Sequence, residues 1–371
     1  MTNKMSIRVV IAGGGTGGHL YPGIAVAQEL RNRDPDAHIV FAGTTRGIES
    51  HVVPQEGFVL EVIRSSGLKR QALLARIRGL MLLPLSALDA WRVIWRHSPD
   101  LVIGLGGYSS GPLVLIAALR CIPTLVLEQN AVPGLTNRIL SNVVKAAAVT
   151  YETALPYFKE KGFISGNPVR PQFFASGSSC ETDGTQDRKR RSRLLVLGGS
   201  QGAHAINTAM ADAAVALAAS PQPFSITHQA GEQDLEMVRA AYKRVGLEAR
   251  VEAFLDTVYE EMGEADLVIC RAGATTLAEL TASGRPAILV PLPSAADGHQ
   301  WENAEVLTRA GAADRLDQVD LSGQELARHI IALVSDESRR ARMASSVRRL
   351  ARPNAARVIV DCALKLMGRD S

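Results

Sequence analysis

The chain has 371 residues, 46% of them apolar and 21% charged, and Lys plus Arg at 41 against Asp plus Glu at 37 leaves a formal net charge of +4. That length suits two domains, each large enough for its own core, and the composition excludes disordered and collagen-like classes. The surplus of +4 is too small to argue for nucleic acid, and Cys121, Cys180, Cys270 and Cys362 are too scattered for a metal-binding CxxC pattern, as expected in a reducing compartment.

Residues 1–6 hold no apolar signal-peptide segment, and no run reaches the roughly 18 apolar residues of a spanning helix, so a cytoplasmic protein is expected. Residues 7–30 then read as a buried strand, a glycine turn and an amphipathic helix. The turn, GGGTGGH at 13–19, sets Gly13, Gly15 and Gly18 at GxGxxG spacing, so its backbone N–H groups are expected to approach an anion or a sugar. A dinucleotide would also want an acidic residue ending the second strand, and 38–46 (HIVFAGTTR) has none, which disfavours a dehydrogenase. His19, in the first turn of the helix, is either structural or placed to take a proton near neutral pH. Asp34-Pro-Asp36 has the acid-x-acid form of some metal sites but lies between helix and strand and reads as a turn. Residues 68–96 combine a run of leucines with Lys69, Arg70, Arg76 and Arg78, then Trp91, Arg92, Trp95 and Arg96. They read either as first-domain core with a solvated basic face or as an amphipathic segment for an anionic membrane surface.

Residues 100–126 repeat the strand, glycine loop and helix, and 125–130 (LVLEQN) ends an apolar strand in Glu128, Gln129 and Asn130, which are expected to face a ligand. A domain boundary is expected after Gly166-Asn167-Pro168, because 175–193 is polar, Ser/Gly-rich and charged, and its RKRR run reads as a solvated loop. The second half opens on 194–214, an echo of 7–30 whose GGSQG loop carries Ser200, and 266–289 echoes 100–126. The loop 271–276 (RAGATT) starts a helix with Gly284 as its stop, and a helix start attracts phosphate. Glu279, one turn further in, is either a solvated carboxylate or an acceptor for two ribose hydroxyls. Residues 297–303 (DGHQWEN) follow another apolar strand and make Gln300 a sugar-contact candidate. Nucleotide binding is therefore expected in the second domain.

Continuous Val/Ile/Leu strands alternating with helices predict parallel sheets buried on both faces, and the repeat predicts two of them: an α/β chain with two Rossmann-like, doubly wound domains facing a cleft. The expected domains are 1–168, acceptor- and membrane-facing; 169–193, linker and insertion; and 194–371, nucleotide-binding, with the last helix packing back on the first domain.

Six segments carry a resemblance over nearly the whole chain: AGGGTGGHLYPGIAVA (12–27), GLGGYSSGP (104–112), EQNAVPGLTNR (128–138), GNPVR (166–170), LGGSQGAHAIN (197–207) and CRAGATTLAEL (270–280). The sequence resembles the MurG family, N-acetylglucosaminyltransferases that convert lipid I to lipid II. The resemblance implies the GT-B fold, inversion at the anomeric carbon, and no cofactor or essential metal. It also implies UDP-N-acetylglucosamine and lipid I as substrates, a peripheral place on the cytoplasmic face of the membrane, and the cell-wall synthesis complex as a candidate partner. Position by position, Thr16, Gly17, Gly18, Asn130, Arg170, Ser200, Ala274, Thr275, Thr276, Leu277, Ala278, Glu279 and Gln300 match the donor-binding set. Leu255 matches the position whose backbone meets the uracil. Where some members have paired glutamines, this chain has His299-Gln300. The chemistry would need a base and support for the departing diphosphate. His19 is the candidate base with Glu128 orienting it, or the reverse, and rival readings are another glycolipid transferase, a UDP-sugar epimerase or a non-catalytic nucleotide-sugar sensor.

Overall fold

The structure, a computed structural model, describes residues 6–45, 47–64, 73–175, 191–198, 203–295 and 298–369, with the backbone alone for 73–83. The chain divides into two compact units, Met1–Val169 with Arg352–Ser371, and Arg170–Ala351. The second unit thus ends at Ala351, because the last helix joins the first.

In the first unit, strands β1 (Arg8–Ala12), β2 (His38–Gly43), β3 (Val59–Val62), β4 (Leu101–Gly104), β5 (Thr124–Glu128), β6 (Ala146–Val149) and β7 (Gly162–Ile164) form one parallel sheet in the order β3-β2-β1-β4-β5-β6-β7. Side chains alternate across a strand, so both faces must be covered for the strands to read as unbroken apolar runs. Val9, Ile11, Ile39, Phe41, Ile103 and Leu125 pack on one face against Leu20, Ile24 and Leu30 of the helix Gly17–Arg33, and Ile359, Val360 and Ala363 of the helix Ala355–Leu366 complete that layer. Val10, Ala12, Val40, Val102 and Val126 pack on the other, against Val93 and Ile94 of the helix Leu73–His97 and Leu113 and Val114 of the helix Ser110–Leu119. Asp34 turns the chain between helix and strand, its carboxylate accepting from the backbone N–H groups of Ile7 (3.1 Å) and Asp36 (3.2 Å).

In the second unit, β8 (Ser192–Leu197), β9 (Phe224–Gln229), β10 (Glu248–Glu252), β11 (Leu267–Cys270), β12 (Ala287–Leu289) and β13 (Asp314–Arg315) form a parallel sheet in the order β10-β9-β8-β11-β12-β13. In both units the order reverses beside the first strand, β1 or β8, which places ligands at the carboxyl ends of the strands. The helix Ala274–Ser283 ends on Gly284 at φ +66°, the left-handed cap expected of a glycine.

Candidate active site

The carboxyl end of β1 leads into the glycine loop, and the loop is built around a carboxylate that sequence reading missed. Glu49, fully buried at the start of the helix Glu49–Gln55, accepts from the Gly15 N–H at 2.7 Å and from the Thr44 N–H (3.0 Å) and hydroxyl (2.9 Å). A Cβ at Gly14 would lie 2.5 Å from the Glu49 carboxyl carbon, so only glycine lets the loop close over it. The Gly13 N–H goes to the Ala42 carbonyl at 3.0 Å. These donors serve the protein's own anion and backbone.

Thr16 precedes the helix, exposed, and its carbonyl accepts from the N–H groups of His19 and Leu20, with Gly17 and Gly18 in the first turn. His19 Nδ1 lies 3.1 Å from Gln129 Oε1, and Gln129 Nε2 donates to the Leu105 carbonyl at 3.2 Å. No hydrogen bond from a described residue reaches His19 Nε2. Glu128, 3% exposed, ends β5 with both oxygens occupied: Oε1 accepts from the Asn130 N–H (3.0 Å) and side-chain amide (3.1 Å), Oε2 from the Gly134 N–H (3.1 Å) and Asn137 Nδ2 (2.9 Å). The strand-end trio is therefore turned largely inward: Glu128 folds the 130–137 loop and Gln129 grips His19.

In the second unit, β11 runs into a short loop and the helix Ala274–Ser283, whose N-cap, Gly273, has no side chain to satisfy the helix start. Ala274, Thr275 and Thr276 form the first turn, at the positive end of the helix dipole. Leu277 is buried, Ala278 is half-buried, and Glu279 lies one turn in. Glu279 is 16% exposed, and Arg170 Nη2 stands 4.0 Å from its Oε1. Burial pushes the Glu279 carboxyl up to about 7, against the pull of Arg170. Gln300 opens the helix His299–Arg309, and its Oε1 accepts from the Leu292 N–H at 2.9 Å, pinning the loop after β12. Leu255 is buried, and its N–H donates to Gln229 Oε1 at 3.1 Å. Ser200 and most of the 175–193 insertion lie outside the described residues.

The Glycosyltransferase family 28 N-terminal domain matches residues 9–149 and the C-terminal domain of that family matches 193–359. The chain is 46% identical over 364 residues, 98% of its length and 94% of the relative's, to the UDP-N-acetylglucosamine--N-acetylmuramyl-(pentapeptide) pyrophosphoryl-undecaprenol N-acetylglucosamine transferase of Anaeromyxobacter sp. (strain K). It is 42% identical to the protein of that name from Myxococcus xanthus, covering 97% and 93% of the two chains. Among solved structures, Acinetobacter baumannii MurG superposes with a TM-score of 0.79 at 30% identity, covering 97% of this chain and 99% of that one. The chain belongs to the MurG family.

Its fold is accordingly GT-B, two parallel-sheet α/β units, as the repeat predicted. Of the candidate site residues, His19, Glu128 and Asn130 gather at the ends of β1 and β5, while Arg170 and Glu279 meet in the second unit. Glu49 was missed, and Gln129 was expected to face a ligand rather than to hold His19. Glu49 sits 34 residues from the loop it holds. Gln129 was visible as a polar strand end, but its link to His19 spans 110 residues.

No helix among the described residues is long and apolar enough to cross a membrane. Of the basic segment, 68–72 lie outside the described residues and 73–83 are helical in backbone. Beyond them the helix is two-faced: Ala90, Val93 and Ile94 are buried, while Leu85, Leu88, Trp91 and Trp95 are exposed, Trp95 at 68%. Arg92 and Arg96 lie on the exposed side.

Proposed function

We infer that this chain transfers N-acetylglucosamine from its UDP carrier to the 4-hydroxyl of the muramyl sugar of lipid I, forming lipid II. The observation that carries this is the match over 98% of the chain at 46% identity to a transferase of that name. Chemistry in the two units fits the reading. In the first, His19 Nε2 takes the proton from the acceptor hydroxyl as its oxygen attacks the anomeric carbon of the donor. The bond from that carbon to the diphosphate breaks, the electron pair leaves with UDP, and configuration inverts. Glu128 orders the Asn130 loop beside the base, a positioning part rather than proton transfer, because its oxygens are already spent.

In the second unit Glu279 accepts from the ribose hydroxyls, and the helix start at Ala274, Thr275 and Thr276, with Arg170 and Ser200, neutralises the departing diphosphate. Leu255 offers its backbone to the uracil. Because the acceptor is a membrane lipid, the exposed Trp91 and Trp95 side of the helix Leu73–His97 docks reversibly on anionic lipid at the cytoplasmic face.

The test is incubation of purified protein with UDP-N-acetylglucosamine and a short-chain lipid I analogue, with a diacylglycerol acceptor and the donor alone as controls. A disaccharide-lipid product in the first arm only is expected. Sugar transfer to diacylglycerol would point to a different glycolipid transferase, donor isomerisation without acceptor to an epimerase, and donor binding without turnover to a sensor.

A further inference from the structure

We propose that Gln129 is a positioning residue that fixes His19 in the one neutral tautomer able to act as a base. The proposal rests on the reading of His19 as the base. Gln129 is 2% exposed, and its Nε2 donates to the Leu105 carbonyl at 3.2 Å. That bond settles the orientation of the amide, since a flipped side chain would set two carbonyl oxygens against each other. Oε1 is then the atom 3.1 Å from His19 Nδ1. A carbonyl oxygen only accepts, so Nδ1 carries the ring proton and Nε2 holds the lone pair.

The anchor is itself rigid, because the Leu105 N–H donates to the Ala12 carbonyl at 2.8 Å and so ties the end of β4 to the end of β1. Gly106 closes over the ring: at φ +90°, a Cβ there would stand 3.2 Å from His19 Cε1. Gly106 thus lets the backbone lie against the imidazole and limits its swing.

An amide does what a carboxylate in the same place would not. Both orient the ring, but a carboxylate would also stabilise the imidazolium and leave less free base near neutral pH. The carboxylates on the elements packed around His19 are Glu49, beneath the glycine loop, and Glu128, at the end of β5. Neither bonds to the ring among the described residues.

The experiment is nitrogen-15 NMR of the imidazoles in the full-length protein, with the His19 signals among the eight histidines assigned by comparison with His19→Gln. Wild type should show the Nδ1–H pattern. Gln129→Met, close in volume, should release the ring toward the Nε2–H tautomer that is commoner in water. It should also lower kcat by about 10- to 100-fold with the donor KM unchanged. Gln129→Glu, which gives up the bond to the Leu105 carbonyl but still offers Nδ1 an acceptor, should keep the Nδ1–H pattern and move the acid limb of kcat/KM to higher pH, which a merely structural role would not do. A Met variant with the wild-type ring pattern, or a wild type already in the Nε2–H form, overturns the proposal. The reading beneath it fails separately: a His19→Gln enzyme with nearly full turnover would remove the base and leave the tautomer result standing.

Discussion

Glu279 should make the enzyme less stable at pH 7 and above, and removing its charge should reveal this. Burial carries the carboxyl from an ordinary value of 4.5 to about 7 in the folded chain. The folded value is the higher one, so between those two pH values the folded state holds more protons than the unfolded state and stability falls as pH rises. The contribution is fully present below 4.5 and lost above 7. At roughly 1.4 kcal/mol for each pH unit, the upper bound is about 3.5 kcal/mol, and access of water to the 16% of the side chain that is exposed brings the expected loss to about 1–3 kcal/mol. Glu279→Gln keeps the shape and does not titrate. Denaturant unfolding of both proteins without nucleotide should give nearly parallel stabilities near pH 4.5 and a variant more stable by about 1–3 kcal/mol at pH 8. The same change should weaken UDP binding by one to two decades through loss of charge-assisted bonds worth roughly 1.5–3 kcal/mol, read by calorimetry. Stability curves that stay parallel from pH 4.5 to 8 would refute the burial argument, and undiminished UDP affinity would refute the ribose contact.

His19→Ala should cut turnover by about two to four orders of magnitude in the lipid I assay while calorimetric donor affinity barely moves. His228, fully buried, has both ring nitrogens engaged, by the Tyr242 hydroxyl (2.8 Å) and Asn207 Oδ1 (3.0 Å), and burial lowers its pKa from 6.5 to about 3. Its contribution to stability is therefore present above pH 6.5 and lost as pH falls toward 3. Tyr242→Phe, which orphans a buried acceptor, should cost about 1–3 kcal/mol in denaturant unfolding at pH 7.5. Replacing Trp91 and Trp95 with Ser should reduce co-sedimentation with anionic vesicles at low salt, and a folded double variant that binds as wild type does would place the lipid-facing surface elsewhere.

The two-sheet architecture could be read from the sequence because a parallel sheet covered on both faces leaves strands such as β4 and β11 apolar at every position. The stop at Gly284 was equally plain, since a helix of ordinary composition gives way there to a residue suited to φ +66°. The site was less legible. Glycine spacing says that backbone comes close to something, not that the something is Glu49. A polar strand end says that its side chains are not core, yet Glu128 is 3% exposed, and its partners are fixed by how the 130–137 loop folds. The helix Ala355–Leu366 shows an apolar face without naming the sheet it covers; that depends on three-dimensional return of the chain.

That return sets an order of events during synthesis. Until residues 355–366 leave the ribosome, Leu20, Ile24 and Leu30 lack the packing that Ile359, Val360 and Ala363 provide, and Arg33 lacks its 3.0 Å ion pair with Asp361. The whole Arg170–Ala351 unit is translated in between, which at roughly 5–20 residues per second takes on the order of ten seconds or more. The first half of the enzyme therefore waits, with one layer unfinished, while the second half can already fold. Chaperone contacts and proteolytic nicks on the nascent chain are accordingly expected to concentrate on the early half, and a premature stop ahead of residue 355 harms the end of the protein made first.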